Sequence, residues 1–313
     1  MELLTALFLL VAGFVLLVKG ADFFVEGAVG IASRFGIPQI VIGLTIAAMG
    51  TSAPEAAVSI ASALKGNAGI TVGNVVGSNI INVLIILGIT AVIVSVAVQK
   101  SSKKIEIPGM ILITLLFLFQ GFTGGEITRL EGVILLVVFG VYLGYLFWIA
   151  KNNKEEEASD SAHAWSLPLQ LLAIVGGIIA IVYGSDLAVD GATAIAKLAG
   201  MDDRIIGLTI VALGTSLPEL VTSVTAARRG QADLAIGNIV GSNIFNILFV
   251  AGVTAVITPV VFAPNFLLDT MIAAAAGVIL LVSVCNKEQK LKRPAGFVML
   301  AAYTVYLIYL LMA

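Results

Sequence analysis

Two glutamates in this chain stand where a carboxylate is expensive. Glu55 closes the stretch VIGLTIAAMGTSAPE at residues 41–55, and Glu219 closes IIGLTIVALGTSLPE at residues 205–219. Each lies in the middle third of an apolar segment long enough to cross a bilayer. A carboxylate at that depth costs several kcal/mol, of order 2.5–3.5 on insertion scales, unless it is paired, neutralised or hydrated. Neither segment offers a nearby Lys or Arg. A bound cation or a proton is the remaining way to balance each charge.

The residues around the glutamates supply further oxygens. Pro54 and Pro218 lack an N–H and clash with the carbonyl four residues earlier, that of Gly50 and of Gly214. Each helix is therefore expected to break near its GTS triplet. The break would free carbonyls at Ala48, Gly50 and Thr51, and at Ala212, Gly214 and Thr215, in a medium without water to satisfy them. Carbonyl, carboxylate and hydroxyl oxygens suit hard cations such as Na+ and Ca2+.

A second motif follows each glutamate. GNVVGSNIINVL at 73–84 returns as GNIVGSNIFNIL at 237–248. Asn74, Ser78 and Asn82 fall at i, i+4 and i+8 and share one helix face, as do Asn238, Ser242 and Asn246. The glycine pairs Gly73/Gly77 and Gly237/Gly241 are GxxxG steps that let helices approach closely, which would bring each polar stripe against a neighbouring glutamate. Neither motif holds His or Cys, which disfavours zinc or copper. Plainer readings stand beside these. Ser52-x-x-Glu55 and Ser216-x-x-Glu219 fit a capping box, the stripes fit interhelical hydrogen bonding, and the glycines fit packing alone. Asp22, Glu26, Asp186 and Asp190, near the far ends of two long helices, read as interfacial or structural.

Both motif pairs are offset by 164 residues without a gap, so one structural unit is used twice. The elements that carry it are apolar. Of 313 residues 59% are hydrophobic and 12% charged, with a mean hydropathy of +1.10; soluble domains carry about 25% charged residues. The composition implies an all-α polytopic membrane protein whose partner is the lipid bilayer. The net charge of −2 gives no sign of nucleic-acid binding, the lone Cys285 permits no internal disulfide, and nothing indicates an obligate protein partner. The first apolar run reads as a retained helix rather than a cleaved signal.

Spans of about 20 residues are expected near 3–33, 39–64, 70–97, 107–123, 131–150, 166–197, 204–228, 233–257, 267–285 and 294–312. That makes ten transmembrane helices. Residues 1–150 form a first five-helix repeat (motif 41–84), 151–165 a polar cytoplasmic linker, and 166–313 a second repeat (motif 205–248). An odd number of spans per repeat inverts the second copy relative to the first, as in many secondary transporters. Lys and Arg in the loops split twelve to four between the two faces. By the positive-inside rule the richer face, with Arg34, Lys103 and Arg229, is cytoplasmic, and both termini are extracellular.

GTSAPE and GTSLPE, each followed by GNxxGSNxxN, resemble the paired alpha repeats of the cation/Ca2+ exchanger superfamily, and most closely prokaryotic sodium/calcium exchangers. The resemblance covers both halves. It implies helices 2, 3, 7 and 8 around a diamond of cation sites, with helices 1 and 6 as a sliding gate in the plasma membrane. It implies Ca2+ between Glu55 and Glu219, completed by the Thr51 and Thr215 carbonyls. It implies flanking Na+ sites at Ala48, Ser52 and Ser78 and at Ala212, Ser216 and Ser242, with Asn82 and Asn246 lining the centre. The transported ions would be Na+ and Ca2+, three against one, with no cofactor. Some relatives, including potassium-dependent exchangers, carry Asp where this chain has Asn246, so the match points to a potassium-independent type. Calcium/proton exchangers usually carry GNxxE instead, which makes Ca2+/H+ exchange the second reading. An enzyme is not expected: the single His163 lies in the linker, and the spans are read as lacking core aspartates.

Overall fold

The computed structural model describes residues 2–64, 69–152, 165–200 and 212–312. Long apolar helices dominate because a backbone in lipid must satisfy its own hydrogen bonds. In chain order they are α1 (Glu2–Phe35), α2 (Gln39–Thr51), α3 (Ala53–Leu64), α4 (Thr71–Ile93), α5 (Ser102–Gly124) and α6 (Arg129–Asn152). The second half gives α7 (Leu167–Leu198), α8 (Ala212–Thr215), α9 (Leu217–Arg228), α10 (Ala232–Ile257), α11 (Pro264–Ser283) and α12 (Arg293–Met312). Among the described residues eight helices are long and apolar enough to cross a membrane, or nine when the bent pair α2–α3 counts as one span. The expected seventh span begins outside the described residues, as do Lys65, Lys154, Arg204 and most of the linker with His163.

The repeat is visible element by element. Helix α3 starts at Ala53 and α9 at Leu217, and α4 and α10 end at Ile93 and Ile257. A π-helical stretch runs from Asn82 to Leu87, and another from Asn246 to Ala251. Each of these pairs is 164 residues apart.

Three expectations need correction. The third span does not reach residue 97: it ends at Ile93, and Val94 turns to extended backbone (φ −144°, ψ 136°). Nor is the chain wholly helical. Val96–Ala97 (β1) pairs antiparallel with Lys290–Leu291 (β4), and Glu126–Ile127 (β2) with Val260–Val261 (β3). The β-branched run Val94, Val96, Val98 favours extended backbone, and the short ladders satisfy loop amides, with Val98 N–H adding a bond of 2.8 Å to the Gln289 carbonyl. The fourth span starts earlier than expected, at Ser102, with a π turn over Ser102–Glu106.

Helices α1 and α7 run antiparallel along most of their length. Gly13 lies against Gly184 and Ala188, Gly20 against Gly177, and Gly27 against Gln170. A methyl at Gly20 would stand 2.9 Å from the Gly177 carbonyl, and one at Gly184 would stand 2.8 Å from that of Gly13. Glycine every seventh residue on both helices permits this approach. In the central helices α4 and α10, 72% and 83% of the most apolar stretch is buried, against 17–39% in the other six long helices.

Candidate functional site

The break expected near GTS is present. Helices α2 and α3 meet at Ser52 with a 49° bend, and Ser52 leaves helical geometry (φ −85°, ψ 10°). The bend falls there because α3 restarts at Ala53, which places Pro54 in a first turn where a missing N–H costs nothing. In the second repeat Ser216 adopts the same geometry (φ −92°, ψ 3°) before α9. Neither serine makes a capping bond. Ser52 Oγ instead donates to Glu219 Oε1 at 2.7 Å, across the repeats.

Both glutamates are 1% exposed. Ser78 Oγ lies 3.5 Å from Glu55 Oε1, and Ser242 Oγ donates to the Ala48 carbonyl at 3.4 Å. Asn74 Nδ2 donates to the Glu55 carbonyl (3.0 Å) and to Ser59 (2.8 Å). Asn238 Nδ2 does the same with the Glu219 carbonyl (3.4 Å) and Ser223 (3.0 Å). Thr51 Oγ1 bridges to Asn238 Oδ1 at 3.2 Å. Asn74 and Asn238 thus tie each second motif to the glutamate-bearing helix of its own repeat. The GxxxG step Gly237/Gly241 is a packing device: a Cβ on Gly237 would meet Gly43 Cα at 3.0 Å, and one on Gly241 would meet Leu44 Cα at 2.7 Å.

Four buried oxygens are left without a partner by this network: Glu55 Oε2, Glu219 Oε2, Asn82 Oδ1 and Asn246 Oδ1. Ser216 Oγ is a fifth. Buried acceptors rarely go unpaired, and acceptors from two carboxylates and two amides are what a hard cation needs. Among the described residues no three His, Cys, Asp or Glu side chains gather as a metal-binding group, so any cation here depends on neutral oxygens as well.

The freed carbonyls do not all stay free. Ala48 C=O accepts the Ser52 N–H at 3.0 Å. Gly214 C=O accepts Ser185 Oγ from α7 at 2.6 Å. Ser185 was invisible to the motif because its counterpart in α1 is Ala21. Asn79 and Asn243 were also missed. Asn79 Nδ2 donates to the Asn243 carbonyl (3.1 Å), and Asn243 Nδ2 to that of Asn79 (3.2 Å). Their side-chain oxygens accept Asn82 Nδ2 (2.9 Å) and Asn246 Nδ2 (3.2 Å). The GSN triplet carried the signal, since it repeats unchanged.

The two far-end acids of α1 are held by a cation. Arg229 binds Asp22 at 2.7 Å and Glu26 at 3.0 Å, a structural role as expected. The reading that the spans hold no core aspartate fails at Asp269, buried in α11, where Tyr306 donates to it at 3.0 Å.

A family model for sodium/calcium exchanger proteins matches residues 5–148 and 169–312. The chain belongs to the sodium/calcium exchanger family. Sodium/calcium exchanger MaX1 of Methanosarcina acetivorans is 33% identical over 344 residues, covering 96% of this chain and 97% of its own. Inner membrane protein YrbG of Escherichia coli (strain K12) is 35% identical over 268 residues, 82% of this chain and 81% of its own. A solved structure of the sodium-calcium exchanger NCX_Mj superposes with a TM-score of 0.85 at 31% identity, covering 98% of this chain and 99% of that one. This exchanger is therefore an integral multi-pass membrane protein and a cation/Ca2+ antiporter, a transporter rather than an enzyme.

Proposed function

We propose that this exchanger moves Ca2+ against Na+ by alternating access, with both ions competing for Glu55 and Glu219. The observation that carries the reading is the set of four unpartnered buried oxygens, two carboxylate and two amide, supplied equally by the two repeats. Around it, Ca2+ would take Glu55, Glu219 and the Thr51 and Thr215 carbonyls. Na+ would take Ser52, Ser78 and Ala48 on one side, and Ser216, Ser242 and Ala212 on the other. An empty site with two carboxylates is costly to move past a dry barrier, which favours exchange over leak.

The inverted five-plus-five arrangement has two supports. The equivalent helices α1 and α7 run antiparallel. In addition, β1, after α4, pairs with β4, whose own equivalent is β2. The two strands of the first repeat, β1 and β2, flank the crossing helix α5 and so lie on opposite faces. Pairing β1 with the counterpart of β2 is natural only if the second repeat is inverted. With Arg34 and Lys103 facing the cytoplasm, both termini lie outside a plasma membrane.

Reconstituted vesicles test the reading. Sodium-gradient-driven 45Ca2+ uptake is expected in wild type and lost in Glu55→Gln and Glu219→Gln. Uptake that needs a pH gradient and ignores Na+ would transfer the assignment to Ca2+/H+ exchange. Dependence on K+ would contradict the reading of Asn246.

A further inference from the structure

A second cavity, with a buried carboxylate in its wall, lies apart from the central site, at the start of α5. Glu106 is 3% exposed; its Oε1 accepts the Tyr145 hydroxyl at 2.8 Å, and its Oε2 has no partner. Ser102, fully buried one turn earlier on the same face, also has an unpartnered hydroxyl. The two bracket a π-helical turn, a distortion that recurs at functional sites because it re-aims side chains. Glu106 and Tyr145 line a cavity of about 160 Å3 with Gln99, Ser101 and an otherwise apolar wall that includes Ile105, Trp148 and Ile149, while Ser102 stands beside Glu106 outside that wall. One water occupies about 30 Å3 of liquid, so the cavity has room for an ion with part of its hydration shell.

We propose that Glu106, Ser102 and Tyr145 form a binding site for a monovalent cation, separate from the transport site. The charge balance selects the valence. Among the described residues one carboxylate faces the cavity and the other polar groups are neutral. Asp233, which the cavity's Gln99 contacts, is engaged by Gln99 Nε2 at 2.7 Å. No described ion pair neutralises Glu106. A buried carboxylate with an open oxygen, a buried hydroxyl without a partner and adjacent space together form half a coordination shell.

The site also breaks the repeat. The positions equivalent to Gln99, Ser102 and Glu106 are Ala263, Phe266 and Thr270, so that set has no copy in the second half, which instead pairs Asp269, one residue off this register, with Tyr306. An occupant therefore acts from one face of the membrane only. It would touch the entry of α2 at Pro38 and Ile40, the helix that carries Thr51 and leads to Ser52 and Glu55.

Crystals of the whole protein soaked in Tl+, a monovalent cation with anomalous scattering, test this. An anomalous peak is expected beside Glu106, lost in Glu106→Gln and reduced at least about tenfold in occupancy in Ser102→Ala, which keeps the carboxylate and serves if the first variant fails to fold. The peak is expected to persist in Glu55→Gln, so the outcome is independent of the transport assignment. Absence of the peak, a peak unchanged in both variants, or a lipid headgroup filling the cavity would overturn the proposal.

Discussion

Asn79 and Asn243 are repeat equivalents, 164 residues apart, and each donates its side-chain amide to the other's backbone carbonyl, at 3.1 and 3.2 Å. The exchange is reciprocal, so these two equivalent positions meet where the two halves touch. It also fixes chemistry one turn away. With both NH2 groups committed to carbonyls, the two side-chain oxygens must accept, and they accept Asn82 Nδ2 and Asn246 Nδ2. An amide has one donor end and one acceptor end. Asn82 and Asn246 are therefore held with their oxygens free.

Asn243→Ala removes the acceptor that orients Asn82 while leaving every carboxylate in place. Groups that orient metal ligands are worth about 10–100-fold in affinity. The half-saturating Ca2+ concentration for exchange is expected to rise by that factor, with the maximal rate less affected. Unchanged half-saturation in both Asn79→Ala and Asn243→Ala would remove the orienting role.

The glycines separate packing from mere helix composition. A Cβ at Gly241 would come within 2.7 Å of Leu44 Cα, backbone that cannot swing aside, whereas one at exposed Gly140 meets nothing within 4 Å. Overpacking of this kind costs about 1–3 kcal/mol, and alanine in a free helical position gains up to about 1 kcal/mol over glycine. Thermal unfolding in detergent is expected to show Gly241→Ala destabilised and Gly140→Ala unchanged or slightly stabilised. Equal behaviour would mean that α2 and α10 are not in close contact.

Much of the site was legible because its chemistry conflicts with its surroundings. Glu55, Glu219 and the two prolines stand out against apolar sequence, and the exact spacing of the copies shows that both are used. What stayed hidden was decided by tertiary contact. Asn79 looks like any polar residue beside Ser78 until its partner in the other half is known. Ser185 breaks the repeat, so a search for repeated residues passes over it. The π turns at Asn82 and Asn246 leave no periodicity signal over six residues, and the two-residue strands are too short for a pattern of their own.

Ser185 gives a prediction from that asymmetry. Its hydroxyl satisfies the Gly214 carbonyl at 2.6 Å, while Ala21, the equivalent residue, offers Gly50 no such bond. Losing a partner for a buried carbonyl costs about 1–3 kcal/mol. If the bond forms in only one access state, Ser185→Ala shifts the balance of states by about 5–150-fold. Ca2+ half-saturation measured separately from the two faces is expected to move in opposite directions. Movement in the same direction would assign Ser185 to stability alone.

Arg229 makes the corresponding claim at one end of the bundle. It follows α9 and grips α1 through Asp22 and Glu26, one turn apart on that helix, at 2.7 and 3.0 Å. Partial burial works against its charge, but the bonds to Asp22 and Glu26 outweigh this and raise its pKa further. A raised pKa makes the contribution complete below the free-chain value and lost only as pH climbs past the folded one. Arginine thus stays charged at every working pH, and the latch does not switch through it. Arg229 and Asp22 are about one-third exposed and Glu26 nearly half, so each pair is worth only about 0.2–1 kcal/mol, up to about fivefold in an equilibrium. Apparent affinity scales with the fraction of molecules open to the tested face. If the ion pairs form only in the state closed to the Arg229 face, Arg229→Gln is expected to tighten Ca2+ binding severalfold from that face and weaken it from the other. High salt screens exposed pairs and is expected to reproduce the effect in wild type but add nothing in the variant. A variant that responds to salt as wild type does would show that the ion pairs do not hold α1 in place.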